Sequence, residues 1–283
     1  MNIGVVTRSF PELTNEEAAE LIASEGFQSI ELCLSQKDSN YWVYNGRSDL
    51  STFTDEQSKR IVDLYRARGL EVPALGVFTN LLELDDDGWQ ANLDYFERMM
   101  QIAAVNEIPF VSTECGFIPG QRGIHVDAYE SRFDRLKQAL IWLTERAEKY
   151  DVTVALESCV LDVVPSAKRT VDLIAQVGSN RLRVLLDPAN LIANNTEEEM
   201  FHHLSAHVAY FHGKDRHVND TMGSAVGDGD IDWVKFLQLY QENTPDVPFI
   251  LEYVTKANFC EIRDRVLAAL AGNGRKSPVG DIS

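Results

Sequence analysis

Short apolar runs rich in branched side chains alternate with longer runs in which apolar positions recur every three or four residues, and the pair repeats eight times along the 283-residue chain. Continuous short apolar runs fit strands buried on both faces, while the three-to-four spacing fits helices with one buried stripe. Strands are predicted at 3–7, 29–33, 72–78, 109–113, 152–157, 182–187, 208–212 and 248–253. The first helix is predicted to open at Thr14, and the others lie near 55–68, 88–105, 127–150, 166–177, 196–204, 231–242 and 258–271. Local start signals support several of them. Glu17 follows Thr14 by three residues, Thr196 opens an acidic run, and Asp230 stands before the seventh helix as its cap. Side-chain oxygens at such positions accept the free N–H groups of a first helical turn.

Eight such units, each about 30 to 40 residues long, predict an α/β chain folded as a single (β/α)8 TIM barrel, which takes about 250 residues. The barrel is expected over residues 1–272, with a loose tail at 273–283 rich in Gly, Ser, Pro and charge. No G-x-G-x-x-G follows the first strand, which argues against an open dinucleotide-binding sheet.

Charge narrows the partners. With 26 basic and 44 acidic residues the chain carries a net charge of -18. Such a surface repels phosphate backbones and anionic lipid, so neither nucleic acid nor a membrane is an expected partner. Cys33, Cys115, Cys159 and Cys260 are scattered, with no C-x-x-C spacing, and read as free thiols of a reducing compartment. No apolar run is long enough to cross a bilayer and no signal-peptide pattern opens the chain, so a cytoplasmic location is expected. A small molecule is the expected partner, and self-association is left open.

In barrels of this kind the working groups sit at the C-terminal ends of the strands. The fifth to eighth strand runs end in Glu157 (ALES), Asp187 (LLDP), His212 (YFHGKD) and Glu252 (ILEY), at separations of 30, 25 and 40 residues. Each separation is about one strand–helix unit, so the four side chains are expected in one mouth. Two like charges about 4 Å apart cost roughly 4 kcal/mol at an effective dielectric near 20. A divalent ion converts that repulsion into coordination. Three carboxylates and one imidazole suit manganese, magnesium or cobalt, and zinc less well.

The ordered set ALES, LLDPAN, FHGKD, VGDGDIDW and ILEY resembles the xylose-isomerase-like barrel superfamily over nearly the whole chain. That superfamily includes tagatose and psicose epimerases, hydroxypyruvate isomerases, inosose isomerases and dehydratases, and apurinic endonucleases. The resemblance implies that Glu157, Asp187, His212 and Glu252 hold one divalent ion, manganese first, with Mg²⁺, Co²⁺ or Zn²⁺ as the other candidates. It also implies that Glu157 and Glu252 form the catalytic acid–base pair of an isomerase or epimerase moving a proton on a ketose or related polyol through an enediolate. Two departures matter. Asn190 stands where epimerases and endonucleases of the family usually place a His, and the ends of strands 3 and 4 (GVFTN, STECG) lack the further histidines of the endonucleases. A lyase or dehydratase acting on a keto-sugar, inosose or 3-keto-glycoside is therefore the alternative, and abasic-site cleavage is disfavoured. A second Glu after the fifth strand is common in epimerases; here only Asp162 is on offer.

Candidate substrate contacts are Glu114 at the end of strand 4, Asn190, Lys214 and Asp215 beside His212, and Trp42. Trp42 lies in an aromatic insert at 35–50, which suits stacking on a sugar face and equally a hydrophobic plug or a dimer contact.

Overall fold

The computed structural model describes residues 1–272; the tail expected at 273–283 lies outside the described residues. Eight parallel strands, β1 (Ile3–Val6), β2 (Ser29–Leu32), β3 (Glu71–Gly76), β4 (Phe110–Glu114), β5 (Thr153–Glu157), β6 (Leu182–Leu186), β7 (Val208–Gly213) and β8 (Phe249–Leu251), pair in sequence order. The ring closes where β8 pairs with β1, with Ile3 opposite Phe249. Around it run α1 (Asn15–Ser24), α2 (Asp55–Arg66), α3 (Asp86–Val105), α4 (Tyr129–Tyr150), α5 (Ala167–Val177), α6 (Pro188–Leu191), α7 (Glu197–Leu204), α8 (Trp233–Asn243) and α9 (Phe259–Leu270). No helix among the described residues is long and apolar enough to cross a membrane. All four cysteines are free.

The strands are buried on both faces, as their apolar runs require. Outward residues such as Val154, Val184 and Phe211 pack under the helices in the main core, and Phe211, Phe236, Tyr240 and Phe249 form an aromatic block there. Inward residues Val6, Ala74, Ala155, Leu185, Tyr210 and Ile250 fill the lumen. Because side chains alternate with a period of two, continuing this inward parity along each strand places Arg8, Glu31, Glu114, Glu157, Asp187, His212 and Glu252 on the lumen side. The register agrees: Val6 pairs with Glu31 and Glu114 with Glu157.

Capping boxes form at Thr14, Thr54 and Thr196. A Thr196→Ala substitution should cost about 1 kcal/mol, or about 2–4 °C in Tm for a chain of this size, measurable in a thermal melt. The seventh predicted helix begins later than expected. Asp230 is not its cap: its carboxylate accepts from the Val218 N–H and pairs with the His217 ring. Asp232 caps α8 instead, accepting from the Lys235 N–H. The short α6 has no counterpart in the sequence prediction.

Candidate metal centre

One ligand atom each from Glu157, Asp187, His212 and Glu252 lies within 4.8 Å of the others, and all four residues are buried. They stand at the ends of β5 to β8, as the spacing predicted. Opposite donors across one ion, each about 2.0–2.2 Å away, span at most about 4.4 Å, so a closure of a few tenths of an ångström brings all four into one shell. Glu157 Oε2 is buried without a hydrogen-bond partner, while Asp187 Oδ2 and Glu252 Oε2 face the Lys214 ammonium. Buried polar atoms rarely remain unpaired, and an orphaned carboxylate oxygen beside two others that already face a cationic group fits a cation.

Each of the four side chains is aimed by a second contact. Asp187 Oδ1 accepts from the Ala189 N–H and caps α6, with Pro188 at its first turn; this leaves Oδ2 for the centre. Asn190, on the same helix, donates from Nδ2 to Glu157 Oε1 at 2.9 Å and accepts from Arg216 at 3.1 Å. Both of its polar ends are thus occupied by protein, and it positions Glu157. The Arg8 guanidinium pairs with Glu252 Oε1. His212 Nδ1 lies 3.3 Å from Glu157 Oε1 and 3.4 Å from Glu252 Oε2, and its Nε2 contacts Glu31.

Lys214 reaches further into the cluster than a rim residue would. Its ammonium is 2.6 Å from Asp187 Oδ2, 3.0 Å from Glu252 Oε2 and 3.7 Å from Glu157 Oε1. The potential of the site is strongly negative. Burial works against charge on His212, yet Glu31 and Glu157 overcome it and raise its pKa to about 9. Burial likewise opposes the Lys214 ammonium, and Asp187 and Glu157 hold its pKa above the usual lysine range. Burial lifts Asp187 to about 6, with Lys214 pulling the other way. Burial opposes the Glu157 charge too, yet Lys214 and His212 hold its pKa below the usual carboxylate range, so the cluster pairs cationic and anionic groups out of water.

The remaining predicted contacts divide. Trp42 lines the mouth, its ring 5.5 Å from the Arg8 guanidinium and its Nε1 buried without a partner. Glu114, beside Glu157 on β4, accepts from the Tyr44 hydroxyl at 2.7 Å and faces Arg122 at 3.6 Å. Asp215 turns away into its own loop, where it accepts from the backbone N–H groups of Arg216, Gly227 and Ile231 and from the Trp233 indole. That loop is therefore pinned beside the mouth. Two aromatic residues bordering the site hold left-handed backbone, Phe78 at φ 53° and Tyr253 at φ 55°. Phe78 stacks near His212 and Tyr253 lies 5.2 Å from the Lys214 ammonium. Strain of about 1–3 kcal/mol per residue persists where surroundings enforce it, and such positions cluster at functional sites.

Asp162 is buried with neither carboxylate oxygen hydrogen-bonded. Burial, reinforced by the Glu114 charge, pushes its pKa well above the usual value. The unfolded chain releases this proton above about pH 4 while the folded chain keeps it, so Asp162 weakens folding as pH rises. Asp162→Asn should gain on the parent between pH 4 and pH 8 by several degrees in Tm; parallel melting curves across that range would contradict this.

Sequence reasoning missed Glu31, Arg8 and Arg216. A charged residue inside the apolar run SIELCL was the available signal for Glu31.

A family model described as Xylose isomerase-like TIM barrel matches residues 19–271. A comparison with curated proteins finds no match. Among solved structures, the chain is similar to D-psicose 3-epimerase with D-tagatose from Clostridium cellulolyticum H10, at 16% identity over 96% of this chain and 98% of that one, with a TM-score of 0.73. It is similar to 3-keto-D-glucoside 4-epimerase from E. coli at 13% identity, over 96% and 98% of the chains, with a TM-score of 0.74. It is also similar to the IOLI protein with a bound zinc atom, at 16% identity over 96% and 99%, with a TM-score of 0.76. At these identities the likeness is one of fold.

Proposed function

The chain belongs to the xylose isomerase-like TIM barrel family, and from that premise we propose that it is a divalent-metal-dependent sugar isomerase or epimerase acting on a ketose or related polyol. The observation that carries the reading is the convergence of four ligand atoms within 4.8 Å at the barrel mouth. Glu157, Asp187, Glu252 and the His212 Nδ1 would hold the ion. Manganese is the first to load; magnesium and cobalt suit the oxygen-rich set, and zinc is the atom bound in the IOLI protein. When bound, the ion supplies positive charge beside two neighbouring substrate oxygens, which stabilises the enediolate left by loss of the C–H proton between them.

The protein's own groups do the rest. Glu157 has one oxygen tied by Asn190 while Oε2 is free of hydrogen bonds, the condition of a carboxylate ready to take a proton. Glu252, three strands further round the ring, is held by Arg8 and presents its second oxygen. Proton removal by one and return by the other makes an acid–base pair. Trp42 offers a flat face and a free indole N–H to the sugar, and Lys214 is a donor for a substrate oxygen.

Deuterium incorporation from D₂O, read by mass spectrometry over a panel of ketoses, inososes and 3-keto-glycosides with metal-loaded protein, tests the reading. Exchange with inversion marks an epimerase, and exchange at the neighbouring carbon an isomerase. Elimination marks a lyase, the second reading, which Asn190 in place of the family's usual His favours. No exchange with any member of the panel would overturn the proposal.

A further inference from the structure

We infer that Glu31 is a positioning residue for His212: it holds the ring's Nε2–H from the lumen side, so that Nδ1 turns its lone pair toward the ion. The inference rests on the proposed metal site.

Glu31 is the only buried acid among the first four strand–helix units, and its side chain is 0% exposed. It lies on β2, whereas His212 lies on β7, and the two meet through the lumen. Burying a lone carboxylate costs several kcal/mol unless it is paired and hydrogen-bonded. Here the pairing is complete on both oxygens: Oε2 contacts His212 Nε2, and Oε1 accepts from the Ser112 hydroxyl at 3.1 Å. The space is also built in. Gly76, two residues beyond Glu31's neighbour Ala74 on β3, has no Cβ, and any side chain there would overlap the Glu31 carboxylate and the Cys33 sulfur. Phe78 stacks along the ring of His212 and Tyr210 meets it edge-on, so the imidazole has one orientation.

A histidine that ligates an ion does so as the neutral imidazole, giving up one proton and keeping one N–H and one lone pair. A carboxylate accepts and cannot donate, so the nitrogen facing Glu31 carries the hydrogen. The lone pair then lies on Nδ1, the nitrogen that faces Glu157 and Glu252. Carboxylates behind ligating histidines fix tautomer and ring orientation in this way, and their loss costs about 10–100-fold in metal affinity.

The test is Glu31→Gln, which keeps the side chain's size. Its amide can turn an N–H toward Nε2 and leave the ring proton on Nδ1, in the ion's way. Titration calorimetry with Mn²⁺ on chelator-treated protein should show binding about 10–100-fold weaker than the parent's. In the Zn²⁺-loaded parent, ¹⁵N histidine spectra should show Nδ1 coordinated and Nε2 protonated in the signal absent from His212→Gln. Equal Mn²⁺ affinity in the variant, or coordination through Nε2, overturns the inference alone. Absence of Mn²⁺ binding by the parent overturns the functional reading and this inference with it. Where Glu31→Gln fails to fold, the nitrogen assignment in the parent decides.

Discussion

Glu157→Gln and Glu252→Gln should each leave a folded protein that no longer exchanges its substrate's C–H proton with D₂O. Positioned general acids and bases contribute about 10²–10⁴-fold apiece, and each of these two also supplies an oxygen to the proposed ion, so the loss should reach at least that size. Glutamine preserves the volume of either side chain, and Lys214 and His212 keep other carboxylate partners within 3.4 Å in both variants. Circular dichroism should therefore match the parent. Metal content separates the two roles: a variant that still binds the ion without exchange has lost proton transfer alone. Undiminished exchange in both variants would remove the pair from the mechanism.

The second large effect is on stability. In protein treated with chelator, Lys214→Met removes the ammonium that faces Asp187, Glu252 and Glu157 and leaves three buried acids confronting one another. Breaking a buried ion pair from one side costs about 3–5 kcal/mol, or roughly 6–20 °C in Tm for a chain of this size. Mn²⁺ should then restore more to the variant than to the parent. Saturation at a hundred times Kd contributes about 2.7 kcal/mol, and at a thousand times about 4.1. The observable is the difference between two metal-induced Tm shifts. A variant that melts with the parent in chelator, and gains no more from Mn²⁺, would show that the ammonium does not counterbalance the acids.

The elements were legible because their signals are local. A strand buried on both faces is apolar at most positions, and Thr14 and Thr196 announce helix starts by chemistry that acts within one turn. The convergence of Glu157, Asp187, His212 and Glu252 was legible for a different reason: barrel geometry converts regular spacing along the chain into proximity in space. Where distant partners decide, sequence reading failed. Asp230 and Asp232 offer equivalent caps two residues apart, and only the folding back of Val218 and His217 commits Asp230 elsewhere. Asp215 looks like a mouth residue from its place beside His212, yet it is consumed by N–H groups up to eighteen positions away. Glu31 was missed because its partner lies 181 residues further on. Its inward parity with Ser29 and Cys33 was visible, but nothing local marks which residue it will face.

β8 is three residues long, and it closes the ring between β7 and β1 immediately before Glu252. Glu157, Asp187 and His212 emerge from synthesis well before it, and Arg8 and Glu31 earlier still. A growing chain therefore possesses most of the parts of the cluster long before it possesses the cluster. Glu252 arrives with the same short segment that seals the cylinder, so completing the architecture and completing the acid–imidazole cluster are one event, and a truncated translation product forfeits both.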